Sequence, residues 1–162
     1  MKIEIKKAQL ADIPLIQQLS ENIWKQHYIN IISMEQINYM LGKMYSTEQL
    51  TAELNNPEYE YHLALVDDKA CGYMAISKHN ENEYLLHKFY ILEAARFKGL
   101  GEKIFHLVFD GRTYNKIQLF VNRQNFKSVN FYFKMGFRIS AVIDNHFGEG
   151  YYMNDFIMLK RK

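Results

Sequence analysis

Near its middle the chain reads strand, glycine loop, helix, strand, and that order constrains the fold more than any other feature. "EYLLHKFYIL" (83 to 92) is strand-like. "RFKGLGEKIF" (96 to 105) leads two glycines into an amphipathic helix on Leu100, Ile104, Leu107 and Val108, and "KIQLFV" (116 to 121) reads as a buried strand. Two strands joined through a helix lie parallel, so part of the sheet is parallel. The flanks follow other rules. Residues 2 to 7 alternate as a first strand. Asp12 then suits an N-cap, with Pro14 in the first turn and Leu15, Leu19 and Ile23 at helical spacing as far as about Gln26. Ser33 with Gln36, and Ser46 with Gln49, are capping-box signatures opening two further helices. One carries Ile37, Met40, Leu41 and Met44, and the other ends at "NNP" (55 to 57). Strand-like runs at 59 to 66, 70 to 77 and 83 to 92, divided by "DDK" and "NEN", read as an antiparallel meander. A helix over about 126 to 135 and two last strands around "HFGEG" complete the order β-α-α-α-β-β-β-α-β-α-β-β, an α+β domain.

Composition excludes several classes. With 162 residues, 48% hydrophobic and 23% charged, the chain reads as one globular domain over 1 to 162. Its net charge of +2 is too small and too scattered to draw nucleic acid or a membrane surface. The stretch "NRQNFKSVNFYFK" (122 to 134) lacks the aromatic pattern of an RNA-recognition strand and reads better as a helix. One cysteine, Cys71, permits no intrachain disulfide and reads as a small buried apolar residue. Six scattered histidines show no metal-ligand spacing, so no metal is expected. Neither a signal peptide nor a membrane-length apolar run is visible, which makes a cytoplasmic protein the expectation.

The glycine loop admits three phosphate-binding readings and one bare one. No segment supplies G-x-x-x-x-G-K-[ST]. A dinucleotide fingerprint needs a third glycine or alanine where Ile104 stands, and an acidic residue where Val121 and Asn122 stand. The whole of R-x-x-G-x-G, from Arg96 to Gly101, fits a third form: glycines clear the side chains away, and N–H groups at a helix start face a pyrophosphate. Arg96 and Lys98 add charge at its rim. The bare reading is a tight turn with no ligand.

"FYILEAARFKGLGEKIF" (89 to 105) resembles the acetyl-CoA-binding segment of the GNAT superfamily of N-acetyltransferases, with its Q/R-x-x-G-x-G/A loop. "VNRQNFKSVNFYFKMGF" (121 to 137) resembles the family's second signature, V-N-x-x-N-x-x-A-x-x-F-Y-x-K-x-G-F, with Ser128 in place of the usual alanine. More narrowly, "YSTEQLTAEL", "ACGYMAI", "HKFYIL" and "HFGEGYYMNDFIMLK" resemble bacterial spermidine/spermine-type N-acetyltransferases. The resemblance implies a mixed, mostly antiparallel seven-stranded sheet flanked by helices, with a central β-α-β unit that binds acetyl-CoA.

It also implies roles. Backbone groups of Tyr90 and Ile91 pair with the pantetheine arm, and Arg96, Phe97, Lys98, Gly99, Leu100 and Gly101 hold the pyrophosphate. Asn122 and Asn125 contact the arm, Asn125 being equally a helix N-cap. Tyr132 donates a proton to the leaving thiolate, or else packs in the core. Relatives place a glutamate where this chain has His87, so His87 is the candidate base, with Glu83 on the same strand face as helper or substitute. Trp24, His27, Tyr28, Glu35, Glu149, Tyr151 and Asp155 form the expected acceptor pocket, suited to a cationic amine. The acceptor is then a small-molecule amine, possibly a polyamine such as spermidine or spermine, or an amine on a protein or peptide. A non-catalytic acyl-CoA-binding regulatory module is the reading from another class. Dimerisation is common among such relatives, and no segment here specifies an interface.

Overall fold

The structure, a computed structural model, describes residues Met1–Lys162. Strand β1 (Ile3–Lys7) is followed by helices α1 (Ile13–His27), α2 (Met34–Met44) and α3 (Thr47–Asn55). Next come β2 (Tyr59–Val66), β3 (Lys69–Asn80), β4 (Glu83–Ile91), α4 (Leu100–Phe109) and β5 (Lys116–Asn122). Helix α5 (Phe126–Lys134), β6 (Arg138–Gly148) and β7 (Tyr151–Arg161) close the chain. The sheet order is β1-β2-β3-β4-β5-β7-β6. β4 and β5 run parallel, while β1 with β2, β2 with β3, β5 with β7, and β6 with β7 run antiparallel. The expected α+β, mostly antiparallel seven-stranded sheet is the one found.

Local chemistry explains most boundaries. Ser33 Oγ accepts from the Gln36 N–H and Ser46 Oγ from the Gln49 N–H, each at 3.1 Å, satisfying donors that a helix start leaves unpaired. Asp67 and Asp68 take left-handed backbone (φ 49° and 67°), which turns β2 tightly into β3. Three expectations are corrected. Asp12 stands at the N-cap of α1 but in helical backbone, because a short 3-10 turn (Leu10–Asp12) precedes it. Its carboxylate accepts from the Gln9 N–H at 2.8 Å and caps that turn instead. The buried stripe of α1 runs through Ile16, Leu19, Ser20 and Ile23, leaving Leu15 half-buried. In α4 the stripe is Leu100, Ile104, Phe105, Val108 and Phe109, while Leu107 faces solvent.

The chain forms two compact units, Met1–Ser77 with Lys88–Arg112, and Lys78–His87 with Thr113–Lys162. In the first, alternation along the end of β4 assigns the two faces. Phe89 and Ile91 pack with Ala64, Cys71, Leu100 and Ile104, which is the side of α4. Lys88 and Tyr90 point the other way, toward Glu53 of α3 and Tyr28 at the end of α1. In the second unit α5 packs on β5, and Ile117, Leu119, Phe137 and Met158 are almost wholly buried. Each such side chain contributes roughly 1.5–3 kcal/mol by leaving water.

Candidate active site

The register of β4 is the starting point. Its parallel ladder with β5 runs from Glu83↔Lys116 to Leu86↔Leu119 and stops there, although β4 continues to Ile91 and β5 to Asn122. Beyond His87 the strand belongs to the first unit, where β3 lies against it. A Cβ on Gly72 would clash with the Tyr90 carbonyl oxygen and fall 2.9 Å from the Ile91 Cα, so only glycine permits that approach. The Leu92 N–H donates to the Cys71 carbonyl at 2.7 Å.

The glycine loop follows directly. After a 3-10 turn (Glu93–Ala95), the Arg96 guanidinium folds back and donates through Nε to the Ile91 carbonyl at 3.2 Å. Arg96, Phe97, Lys98 and Gly99 are exposed. Gly99 is the N-cap of α4 in left-handed backbone (φ 88°), and nothing lies within 4 Å of where a Cβ would be. That open space sits at the N-terminus of a ten-residue helix, where backbone N–H groups without intrahelical acceptors and the positive end of the dipole favour an anion. Leu100 and Ile104, 1% and 0% exposed, hold the helix start against the sheet. The loop thus combines an exposed, open N-cap with two nearby cations, Arg96 and Lys98, features that suit an anion.

On the opposite face of β4, the Tyr28 and Tyr90 hydroxyls are 3.1 Å apart, and His27 packs edge-on against both rings. Trp24 is 1% exposed and donates from Nε1 to the Tyr45 hydroxyl at 3.3 Å. It is a core residue, and its place in an acceptor pocket is corrected. Glu35 stands exposed in the first turn of α2. Beneath Tyr90 lies Lys88, 4% exposed, a residue that the family's motifs do not mark. Its ammonium donates to the Tyr61 hydroxyl and to Glu53 Oε1 at 3.4 Å, and lies 4.4 Å from the centre of the Tyr45 ring. Burial pulls its pKa down to about 8, against the opposing pull of Glu53. The alternation that marks Tyr84, Leu86 and Tyr90 as inward marks Lys88 too; reading "LHKFYI" for its histidine passes over the lysine beside it.

His87 is exposed and shares its parity with Phe89 and Ile91, away from the face of Lys88 and Tyr90. Glu83 has the same parity and pairs with Lys116 at 3.4 Å where the ladder begins. At ~3.3 Å per residue, Glu83 lies roughly 23 Å along the strand from Tyr90 and His87 roughly 10 Å.

The second unit carries the remaining candidates. Asn122 ends β5, and its Oδ1 accepts from the Gln124 N–H at 2.9 Å. Asn125 is the N-cap of α5, with Oδ1 accepting from the Ser128 N–H at 3.3 Å. Tyr132 is 6% exposed, edge-on to Phe131 and Phe137 with ring centres 5.4 Å away in both cases. Asp155, opposite Asn122 on β7, is buried and accepts from Asn145 Nδ2 at 2.7 Å. Burial raises its pKa to about 6, against the Asn145 bond and the Arg123 charge. Glu149 is at the tip of the β6–β7 turn (φ 54°) and Tyr151 is half-buried beside Gly148. Glu149, Tyr151 and Asp155 are thus strung along roughly 20 Å of chain, by the same rise per residue, and do not converge on one point.

Residues 28–148 match the family described as "Acetyltransferase (GNAT) domain", which spans most of the chain. The chain belongs to the GNAT acetyltransferase family. It is accordingly an acetyl-CoA-dependent N-acetyltransferase. This GNAT chain is similar to a spermidine N(1)-acetyltransferase of Thermoplasma acidophilum, 26% identical over 99% of this chain and 98% of that protein. Its fold superposes with a TM-score of 0.80 on the PaiA N-acetyltransferase of T. acidophilum, solved in complex with coenzyme A, at 26% identity over the whole of both chains. A spermidine N-acetyltransferase chimera from Vibrio cholerae, at 15% identity and a TM-score of 0.73 over 99% of this chain and 96% of that one, shares the fold.

Proposed function

We propose that this GNAT enzyme acetylates a primary amine of a small cationic acceptor, a polyamine such as spermidine or spermine. One observation carries the placement of the reaction. The β4–β5 ladder stops at Leu86, five residues before the strand ends and just ahead of an open, left-handed glycine N-cap. Backbone groups of Tyr90 and Ile91 would take the cofactor arm as an added strand. The N–H groups at the start of α4, with Arg96 and Lys98, would take the pyrophosphate. Support for a polyamine is the similarity to the T. acidophilum spermidine enzyme over nearly the full length of both chains.

Acetyl-CoA supplies an activated thioester. The amine nitrogen bonds to the thioester carbon, the C–S bond breaks, and one proton leaves to solvent for each amine acetylated. His87 would accept the amine's proton through water, since its exposed side chain leaves β4 on the face away from Tyr90; Glu83 is farther along the strand and Lys116 already engages it. Tyr132 gives its hydroxyl proton to the thiolate, in keeping with its motif position and its fixed packing. Asn122 and Asn125 would contact the arm, a role their places in the family's second motif support. Tyr28 and Tyr151 would offer aromatic faces, and Glu35, Glu149 and Asp155 negative charge, each as a separate candidate contact for a cationic acceptor.

The test is thiol release from acetyl-CoA against spermidine, spermine, small amines, amino acids and lysine peptides. Turnover confined to polyamines is the expected result. Preference for a peptide amine would remove the polyamine reading. Acetyl-CoA binding with no turnover on any amine would point to an acyl-CoA-binding regulatory module.

A further inference from the structure

We infer that Lys88 is a positioning residue for the cofactor strand: with Glu53 and Tyr61 it ties the end of β4 to α3 and β2, fixing where Tyr90 and Ile91 present their backbone groups. The inference rests on the reading that those groups take the acetyl-CoA arm.

Three observations lead to it. First, β4 loses its β5 ladder after Leu86, so from residue 88 onward one side of the strand has no hydrogen-bonded register with β5. Its main-chain partner there is β3 alone, and since a one-residue slip turns every side chain to the wrong face, a side-chain tie adds to that hold. Second, Lys88 supplies such a tie, with several donors on one ammonium. Its ammonium reaches the Glu53 carboxylate and the Tyr61 hydroxyl, and that hydroxyl donates to the same Glu53 oxygen at 2.8 Å. A slip would bring Phe89, which has no donor, or His87, whose neutral ring has a single N–H, so neither would serve both partners. Third, stability alone does not account for the arrangement. A buried ion pair is commonly no better than well-packed apolar side chains of the same volume, and fixing a register is the best-attested use of such a pair. Lys88 lies two residues from Tyr90 on the same strand face, and Tyr90 is itself tied by its hydroxyl to Tyr28. Two adjacent inward positions of β4 are therefore fastened to the helical layer next to the proposed cofactor contact.

The test measures acetyl-CoA affinity and steady-state kinetics in Lys88→Met and Glu53→Gln. Both should remain folded and show a Kd and KM for acetyl-CoA raised about tenfold, with kcat changed less than twofold and the acceptor's KM unmoved. Tenfold in Kd corresponds to about 1.4 kcal/mol of binding free energy. A pH readout separates positioning from mere stability. The groups facing the ammonium are Glu53 of α3, Tyr61 of β2 and Tyr45 just before α3. Wild-type affinity should weaken as pH rises past about 8, where Lys88 loses its proton, and Lys88→Met should lack that step. Folded variants that bind acetyl-CoA as tightly as wild type, or a Lys88→Met variant that keeps the step, would overturn the positioning role. A wild-type protein that binds no acetyl-CoA would overturn instead the cofactor reading beneath it.

Discussion

Each compact unit buries one charged group, and the two are treated in opposite ways. Lys88, in the first unit, has an anion and a hydroxyl within reach, and its pKa of about 8 keeps it charged at neutral pH. Asp155, in the second, has a neutral amide from Asn145 as its side-chain partner, while Arg123 spends its donors on the Asp155 and Ile143 carbonyls and on Asp144. Its pKa therefore rises to about 6, close to the working range. A charge given a partner fastens structure, whereas one given only a neutral bond stays ready to change state or meet a cation. A similar contrast divides the recognition chemistry. The first unit presents backbone groups at a glycine N-cap; the second presents side chains held by their own hydrogen bonds and packing.

The largest expected effect breaks the backbone half. Gly99→Glu has room for its side chain but adds a carboxylate where the pyrophosphate is expected, so acetyl-CoA affinity should fall more than ~100-fold in a titration. The left-handed φ costs about 1–2 kcal/mol, leaving a folded protein by circular dichroism. The side-chain half should respond in kcat instead. Tyr132→Phe should lower kcat about 100-fold with acetyl-CoA affinity unchanged, the range expected for loss of a general acid. Asp155→Asn tests the buried-charge contrast. With a folded pKa raised above the unfolded value, native Asp155 binds more protons than the unfolded chain between roughly pH 4 and 6, so its contribution to stability falls as pH rises through that window. Asn removes that slope, and denaturant unfolding at pH 7 should show a gain of up to about 2 kcal/mol. The smallest effect is His87→Ala: about a tenfold loss of kcat/KM, with the rising limb of the pH profile displaced.

Lys88 adds a divergence to that series. Its folded pKa lies below the ordinary lysine value, so between about pH 8 and the unfolded pKa the unfolded chain binds more protons and stability rises with pH. Acetyl-CoA affinity should fall over the same window, and an effect through stability alone would move both together.

Much of this fold was legible because the hydrophobic period changes where the structure changes. The three helices, the meander, the strand–loop–helix–strand unit and the last hairpin lie close to where alternation and capping placed them. Periodicity gives a face but not a depth. Trp24, read as pocket-lining, is core because Tyr28, Tyr45 and Tyr90 surround it. Asp12 stands at the expected N-cap, but its carboxylate serves the turn before the helix, because a one-turn 3-10 segment leaves no periodic trace. The glycine N-cap was legible because it is local, needing only Gly99 and a helix start. The tie from Lys88 to Glu53 was not, since it joins residues 35 apart and shows only once the strand and α3 are packed. Gly72 reads as ordinary until the Tyr90 carbonyl is beside it.

The most direct test of the cofactor placement is to titrate isotopically labelled protein with acetyl-CoA and follow its backbone amide signals. The account predicts the largest shifts at residues 97–103 and 90–92, with Gly99 and Gly101 foremost. Saturating binding with those amides unmoved, and the largest shifts elsewhere, would contradict it.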